Sequence, residues 1–449
     1  MSAANTSRAD LRPLLEQSFQ AAVAAADPSK VILGALPSPP RGRLLVVGAG
    51  KAAAAMAVAV DGHYGEEVTL SGMVIAPGRR DRATGHAGPA GRAGRIEIAH
   101  ASHPVPDARG VAATERILSE VARCTERDLV LVLVSGGGSS LLCAPDGVSL
   151  AEKAELTGEL LRSGADITEI NAVRKHLSRV KGGRLAMVAA PAKVVALVLS
   201  DVVGDDLSSI ASGPTVADPS SYRDALAVLD RYGIDSRPAR SLLDEGARGE
   251  RRETPKPGGG ELAHVETRLV GGNQLSLDAA ARVLEGAGFA AHVLSSTMVG
   301  ESREVARLHA AIACQMLERG QPFAPPCALI SGGETTVTVR GSGRGGRNGE
   351  FGLALALALP AGAPIWALAA DTDGIDGSED NAGVLVSPSL LAELDRRRAA
   401  SLLTDNDSYG VFAESGHLLV SGPTGTNVND LRIVIVGERE SGSELDSCL

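Results

Sequence analysis

One pattern recurs along the chain and restricts its folding more than any other: a short, nearly continuous apolar run, a glycine-rich turn, then helix-forming sequence. RLLVVGAGKAAAAMAVAV, DLVLVLVSGGGSSLL, KVVALVLSDVVGDD, CALISGGETTVTV and IWALAADTDGIDG all follow it. Strands that do not alternate polar and apolar residues are strands covered on both faces, as in a parallel sheet between two helical layers. The expected fold class is therefore α/β. A chain of 449 residues exceeds a single core, so two domains are expected. Between Leu243 and Leu262 the composition breaks into DEGARGERRETPKPGGGE, where charge, proline and glycine replace the apolar period. This places a linker at 246–262 between a first domain, 1–245, and a second, 263–440, followed by a frayed polar tail at 441–449. An amphipathic helix is expected from about Ser7, its N-cap, to Ala26, stopped by Asp27-Pro28. The uncharged stretch 351–370 is broken by Pro360, Gly362 and Pro364 and reads as a buried helix followed by a buried strand, not as a membrane span.

Charge and composition exclude several classes of partner. The chain carries 44 Lys and Arg against 54 Asp and Glu, a net of −10, so no basic field draws in nucleic acid or an anionic membrane. Aromatic residues make up only 2 %, which leaves few platforms for stacking bases. The five cysteines, Cys124, Cys143, Cys314, Cys327 and Cys448, form no C-x-x-C pair and have no clustered histidines, which argues against zinc and against a disulfide framework. A reducing compartment fits. With no apolar leader at the amino terminus, the expected location is the cytoplasm.

Six segments could carry chemistry. Gly48-Ala49-Gly50-Lys51-Ala52-Ala53 leaves a strand and opens a helix, where backbone amides and the macrodipole favour an anion. It fails as a Walker A loop, because Ala52 stands where a magnesium-binding hydroxyl is required. As a dinucleotide fingerprint it passes weakly: no acidic residue closes the next strand, but Arg79 or Arg80 could meet a 2′-phosphate. Ser135-Gly136-Gly137-Gly138-Ser139-Ser140 follows a six-residue apolar strand, and its glycines leave amides bare for a phosphate. Asn171, Arg174, Ser178 and Lys181 are spaced by three, four and three residues, so one helix face would present them together, stopped by Gly182-Gly183. By itself that face reads first as a solvated basic stripe and only second as a binding surface.

The remaining segments supply carboxylates and arginines. Asp201 and Asp205 follow the strand VVALVL, where open α/β sheets bind ligands, and suit magnesium or the proton of a hydroxyl. Arg340, Arg344 and Arg347 lie among five glycines, a mobile or sharply turned segment with bidentate donors for carboxylate or phosphate, and Arg347 falls near a helix start. Asp371 and Asp373, after another apolar strand, are candidates for holding metal or for supporting the arginines, although Ile375 rules out an EF-hand. A last loop, Gly422 to Asp430, reads as one more active-site segment or as an ordinary turn, and His103 in SHPVPD reads as a structural histidine. Turns that bind anions at the ends of several strands, with a lysine, arginines and carboxylates, suit phosphoryl transfer, in which positioning and charge neutralisation dominate.

GAGKAAAAMA, ASHPVPD, VLVSGGGSSLL, EINAVRKHLSRVKGGRLA, LSDVVGDDLSSIASGPT, LISGGETTVTVRGSGRGGRNGEF and DTDGIDGSEDNAG resemble, in this order, the serial signatures of the glycerate 2-kinases that end in a MOFRL domain. The resemblance runs from about residue 10 to 440. It implies a larger Rossmann-like domain with a doubly wound parallel sheet, a smaller α/β MOFRL domain, and an active site in the cleft between them. It also implies ATP-dependent phosphorylation of D-glycerate on its 2-hydroxyl, giving 2-phospho-D-glycerate, with Mg²⁺ and with small molecules as partners, in a monomer or homodimer. Lys51 matches the family's catalytic lysine, and Arg347, in GGRN, its catalytic arginine. Gly349 departs from the usual GGRNQE. On this reading Lys51 offsets charge on the transferred group and Arg347 clamps that group or the glycerate carboxylate. The turns with Gly48, Gly50 and Ser135 to Ser140 hold phosphates, Asn171, Arg174 and Lys181 hold substrate, and Asp201 acts with the attacking hydroxyl. Asp205, Asp371 and Asp373 are left for metal. Related sequences also carry the label hydroxypyruvate reductase, so an NADPH-dependent reductase is the alternative, and a non-catalytic sensor the third reading.

Overall fold

The computed structural model describes residues 10–78 and 91–438. Ser7, Arg79, Arg80, Cys448 and the tail at 441–449 lie outside the described residues. The chain forms two compact units, one from Pro28 to Gly271 and one made of the described parts of Met1–Asp27 and Gly272–Leu449.

After α1 (Arg12–Ala25), the first unit runs α2 (Pro28–Val31), β1 (Leu44–Ala49), α3 (Ala53–His63), β2 (Leu70–Pro77), β3 (Gly91–Ala93), β4 (Ile96–Ala101), α4 (Ala108–Val121), β5 (Leu129–Val134) and α5 (Gly138–Leu141). It continues with α6 (Leu150–Arg162), α7 (Ile167–His176), α8 (Arg184–Ala189), β6 (Lys193–Leu199), α9 (Tyr222–Arg231), α10 (Arg237–Ala247) and β7 (Val265–Gly271). Its seven-stranded sheet has the order β3-β4-β2-β1-β5-β6-β7. All neighbours pair in parallel except β3, which is antiparallel to β4. The expected doubly wound sheet is present. Strands β1 and β5 are buried along their whole length, which explains their unbroken apolar sequence. On one face Val47, Val132 and Ala196 pack with Ile117 of α4 and Leu185 of α8. The winding reverses between β1 and β5, and in such sheets the crevice beyond the carboxyl ends of these strands receives ligands. Helices α6, α7, α9 and α10 share a separate core around Leu160, Val173, Leu229 and Leu242. Capping boxes start three of them, Ser149/Glu152, Asp166/Glu169 and Ser221/Asp224.

The second unit contains α11 (Asn273–Gly286), β8 (Ala290–Glu301), α12 (Ser302–Arg319), β9 (Cys327–Thr336), α13 (Arg347–Ala358), β10 (Ile365–Asp371) and β11 (Gly383–Val386). It ends with α14 (Pro388–Glu393), α15 (Arg396–Thr404), α16 (Ser408–Glu414), β12 (Leu418–Leu419) and β13 (Asp430–Val436). The six-stranded sheet has the order β12-β11-β10-β13-β9-β8. β8 and β9 pair in parallel, whereas the pairs β9–β13, β13–β10, β10–β11 and β11–β12 are antiparallel. Continuous apolar strands here report cover on both faces, not parallel pairing. Phe351 and Leu355 of α13 line one face with Val434, and α1 and α11 cover the other. The stretch 351–370 is the expected buried helix and strand.

The division expected from the sequence differs from this in two places. Helix α1 belongs to the second unit, where Leu15, Phe19 and Ala22 pack with Leu277, Leu284 and Ile433. Ser276 Oγ also donates to the Ala22 carbonyl at 2.8 Å. The segment 246–262 is no linker, since it lies within the first unit ahead of β7. Its charges find partners there: Arg251 reaches both oxygens of Asp146 at 2.9 Å, and Glu253 accepts from His176 at 2.8 Å.

Candidate active site

In the first unit the ends of β1, β4, β5 and β6 bring together Lys51, His103, the Ser135–Ser140 turn and Asp201. The glycines of that turn act as spacers. A Cβ on Gly136 would stand 1.8 Å from an Asp201 oxygen, and one on Gly137 would stand 2.8 Å from His103 Nε2 and 3.5 Å from Lys51 Cγ. Gly137 also has a left-handed φ of 75°. The amides of Gly136, Gly137 and Ser139 make no hydrogen bond with described residues of this unit and so stay available to an acceptor. Ser140 is partly withdrawn, its hydroxyl donating to the Gly137 carbonyl at 3.1 Å.

The turn at Gly48–Ala53 behaves differently. Cβ atoms on Gly48 and Gly50 would strike Leu133 O at 1.9 Å and Ser135 Oγ at 2.1 Å, so these glycines admit β5 and not a ligand. The amides of Lys51 and Ala52 are already used, by the Gly136 carbonyl at 2.8 Å and by Ser135 Oγ at 3.0 Å. What this turn offers a ligand is the exposed Lys51 ammonium, not a backbone cradle. The same contacts remove the amides on which a dinucleotide pyrophosphate would rest.

Asn171, Arg174 and Lys181 do converge, though not on one helix face. Helix α7 stops at His176, and Lys181 comes from the turn beyond it. Ser178 serves that turn, its Oγ accepting from the Val180 and Lys181 amides at 3.3 Å. Lys181, only 1 % exposed, donates to Ser139 O at 2.7 Å and Oγ at 3.0 Å, and Arg174 donates to the same Oγ. Asn171 Oδ1 can only accept, so the Ser212 hydroxyl points at it, 3.2 Å away, and Ser139 donates in turn to Ser212 at 2.8 Å. Lys153, which sequence reasoning missed, is buried nearby and donates to Leu177 O at 2.9 Å. No carboxylate of the described residues in this unit lies within ion-pair distance of Arg174, Lys181 or Lys153. Burial, with Arg174 and Lys153 beside it, pushes the Lys181 ammonium well below its usual range; burial brings Lys153 down to about 8. The group is a set of buried cations surrounded by neutral oxygens, not a solvated stripe.

Arg347, the first residue of α13, stands in the opposite environment. Its Nε donates to Asp430 at 2.8 Å, one terminal nitrogen to Glu334 at 2.8 Å and the other to Asp371 at 2.7 Å. Asp430 also holds the fully buried Arg432 and accepts from Asn348 Nδ2 at 2.9 Å. Burial and the neighbouring Asp430 raise Asp371 to about 8. The helix start itself is closed by Asp376, which accepts from the Asn348 and Gly349 amides at 2.9 and 2.7 Å. The place a side chain at 349 would take is filled by Ser408 Oγ, 2.5 Å from an ideal Cβ, so Gly349 fits its surroundings. The arginine–glycine segment is pinned, not mobile: Arg340 and Gly341 amides donate to Asn406 Oδ1, and Arg344 pairs with Glu379 and stacks on Tyr409. Asp430 was legible only as the end of the Gly422–Asp430 loop, and Glu334 not at all.

The carboxylates named as metal candidates fall in different units, Asp205 in the first and Asp371 and Asp373 in the second. Asp371 is taken by Arg347 and by the Asp373 amide at 3.0 Å. Among the described residues no three or more His, Cys, Asp or Glu side chains are grouped to hold a metal ion.

Residues 14–244 match the family model described as "Domain of unknown function (DUF4147)", and residues 327–430 match the MOFRL family. A "Putative hydroxypyruvate reductase" of Agrobacterium vitis is 49 % identical over 95 % of this chain and 94 % of its own length. The "D-glycerate 2-kinase" of Thermotoga maritima is 42 % identical over 95 % of this chain and 98 % of its own. The crystal structure of a glycerate kinase from Thermotoga maritima superposes with a TM-score of 0.84, covering 95 % of this chain and 99 % of that one at 42 % identity. Motif order, fold and full-length similarity agree: the chain belongs to the family of glycerate kinases that carry a MOFRL domain.

Proposed function

We propose that the protein is an ATP-dependent kinase that phosphorylates D-glycerate on its 2-hydroxyl. The observation that carries this reading is the edge of the first sheet. In an acidic protein, three amides without a hydrogen-bond acceptor and a set of buried cations without a carboxylate partner, among the described residues of the unit, gather with an exposed lysine where doubly wound sheets bind ligands. Lys51 offsets charge developing on the transferred phosphoryl group, and the Gly136–Ser139 turn holds nucleotide phosphates. Arg174 and Lys181, steadied by Ser139 and Asn171, hold the anionic substrate, and Asp201 orients the attacking hydroxyl. Arg347 acts from a fixed direction, since three carboxylates set its plane and two N–H groups remain to bind an anion. Asp205 offers the hard oxygen donor that magnesium accepts beside phosphate and water oxygens. That ion would neutralise charge across the nucleotide phosphates. The buried free cysteines Cys124, Cys143, Cys314 and Cys327 support a reducing compartment, the cytoplasm, and no helix among the described residues is long and apolar enough to cross a membrane.

A coupled assay of 2-phosphoglycerate formation, with phosphorus NMR to assign the phosphorylated hydroxyl, tests the reading. Lys51→Ala and Arg347→Ala should each lower kcat by about 100-fold or more. Turnover near wild type in either variant removes that residue's role. NADPH oxidation with hydroxypyruvate, and no phosphoryl transfer, would favour the reductase instead.

A further inference from the structure

His103 reads from the sequence as a structural histidine, yet among the described residues it lacks the hydrogen bonds of one. Its ring nitrogens make no hydrogen bond with described residues of the first unit, in contrast to His176 and His309, both of whose nitrogens are engaged. It is half-buried just past the carboxyl end of β4, with its Nε2–Cδ2 edge against Gly137. A Cβ at Gly137 would stand 2.8 Å from both of those atoms, so the glycine leaves room for the imidazole over the turn. Lys51 Cγ lies 3.5 Å from the same point. The charged side chain beside this ring is thus Lys51, from the turn into α3, while Asp201, after β6, stands against the neighbouring Gly136.

We propose that His103 is the proton acceptor for the hydroxyl that is phosphorylated. The proposal rests on the kinase reading and deepens it. As the O–H bond breaks, the proton passes to Nε2 while the oxygen forms its bond to the γ-phosphorus. The bond from that phosphorus to the β,γ-bridging oxygen breaks, and its electron pair leaves with ADP. A base for this step must be unprotonated near neutral pH. Burial, and then the charge of Lys51, lower the proton affinity of His103 and keep it so.

The test is the coupled assay on the full-length protein with His103→Asn and His103→Ala, alongside Asp201→Asn. His103→Asn should lose about 100-fold or more in kcat, with KM for glycerate and for ATP within about threefold of wild type. Added imidazole should restore activity to His103→Ala by roughly tenfold. Circular dichroism and calorimetric ATP binding show that each variant is folded, and His103→Gln replaces any that is not. A kcat within about threefold of wild type, a loss confined to KM, or a loss in His103→Ala that imidazole leaves unchanged overturns the proposal. Failure of the wild-type protein itself to make 2-phosphoglycerate would instead sink the kinase reading.

Discussion

Lys181 in the first unit and Arg432 in the second are both fully buried cations, but their partners differ in kind. Among the described residues of its unit Lys181 meets only the carbonyl and hydroxyl of Ser139, with Arg174 and Lys153 as like-charged neighbours. Arg432 meets Asp430, the Thr335 hydroxyl at 2.9 Å and the Phe351 ring at 5.3 Å. A charge buried without its opposite is costly, and a protein keeps one where a ligand brings the counter-charge. A charge buried against a carboxylate is already satisfied and serves to orient whatever shares that carboxylate, here Arg347. On the proposed reading the first unit is the one that receives anions, while the second fixes a guanidinium.

The contrast can be broken most severely at Asp430. Asp430→Ala leaves Arg432 buried without its anion, and chemical denaturation should show a loss of about 3–5 kcal/mol. A smaller effect, dependent on pH, belongs to His309, whose surroundings differ from those of the other buried histidine. His176 faces oxygen at both nitrogens, Ala172 O at 2.7 Å and Glu253 at 2.8 Å, whereas His309 donates to Val305 O and accepts from the Ser331 hydroxyl. Burial holds His309 down to about 4 from 6.5, so the fold resists its protonation. Stability present above pH 6.5 should fall as the pH drops through that value toward 4, by about 3 kcal/mol in all, and His309→Asn should flatten this part of the profile. The smallest change in stability belongs to Lys181→Met. Removing an unpaired cation should leave the denaturation midpoint unchanged or raised, while KM for glycerate rises about tenfold or more. A destabilisation matching that of Asp430→Ala would erase the distinction between the units.

The sequence made the first sheet legible because burial on both faces writes itself as unbroken apolar runs. The same runs misled in the second unit: β9, β10 and β13 are equally apolar and equally covered, yet antiparallel, and no local pattern carries strand direction. The convergence of Asn171, Arg174 and Lys181 was readable from helical spacing, even though the chain achieves it with a helix end and a turn. Lys153 and Glu334 were not readable, since each reaches its neighbours only through tertiary packing. The glycines at 48 and 50 advertised a ligand and instead admit a strand, because close backbone approach leaves one sequence signature whatever does the approaching.

Because α1 closes one face of a body otherwise built from residues after 272, the Pro28–Gly271 unit is an insertion within its partner's chain path. During synthesis the inserted unit has all its strands in hand while the host is still unfinished. The last strand to emerge, β13, is wedged between β10 and β9 in the middle of the host sheet. Until it arrives, the opening helix has no completed sheet to cover. A ribosome that stops early would therefore release one finished body and one with an exposed apolar seam.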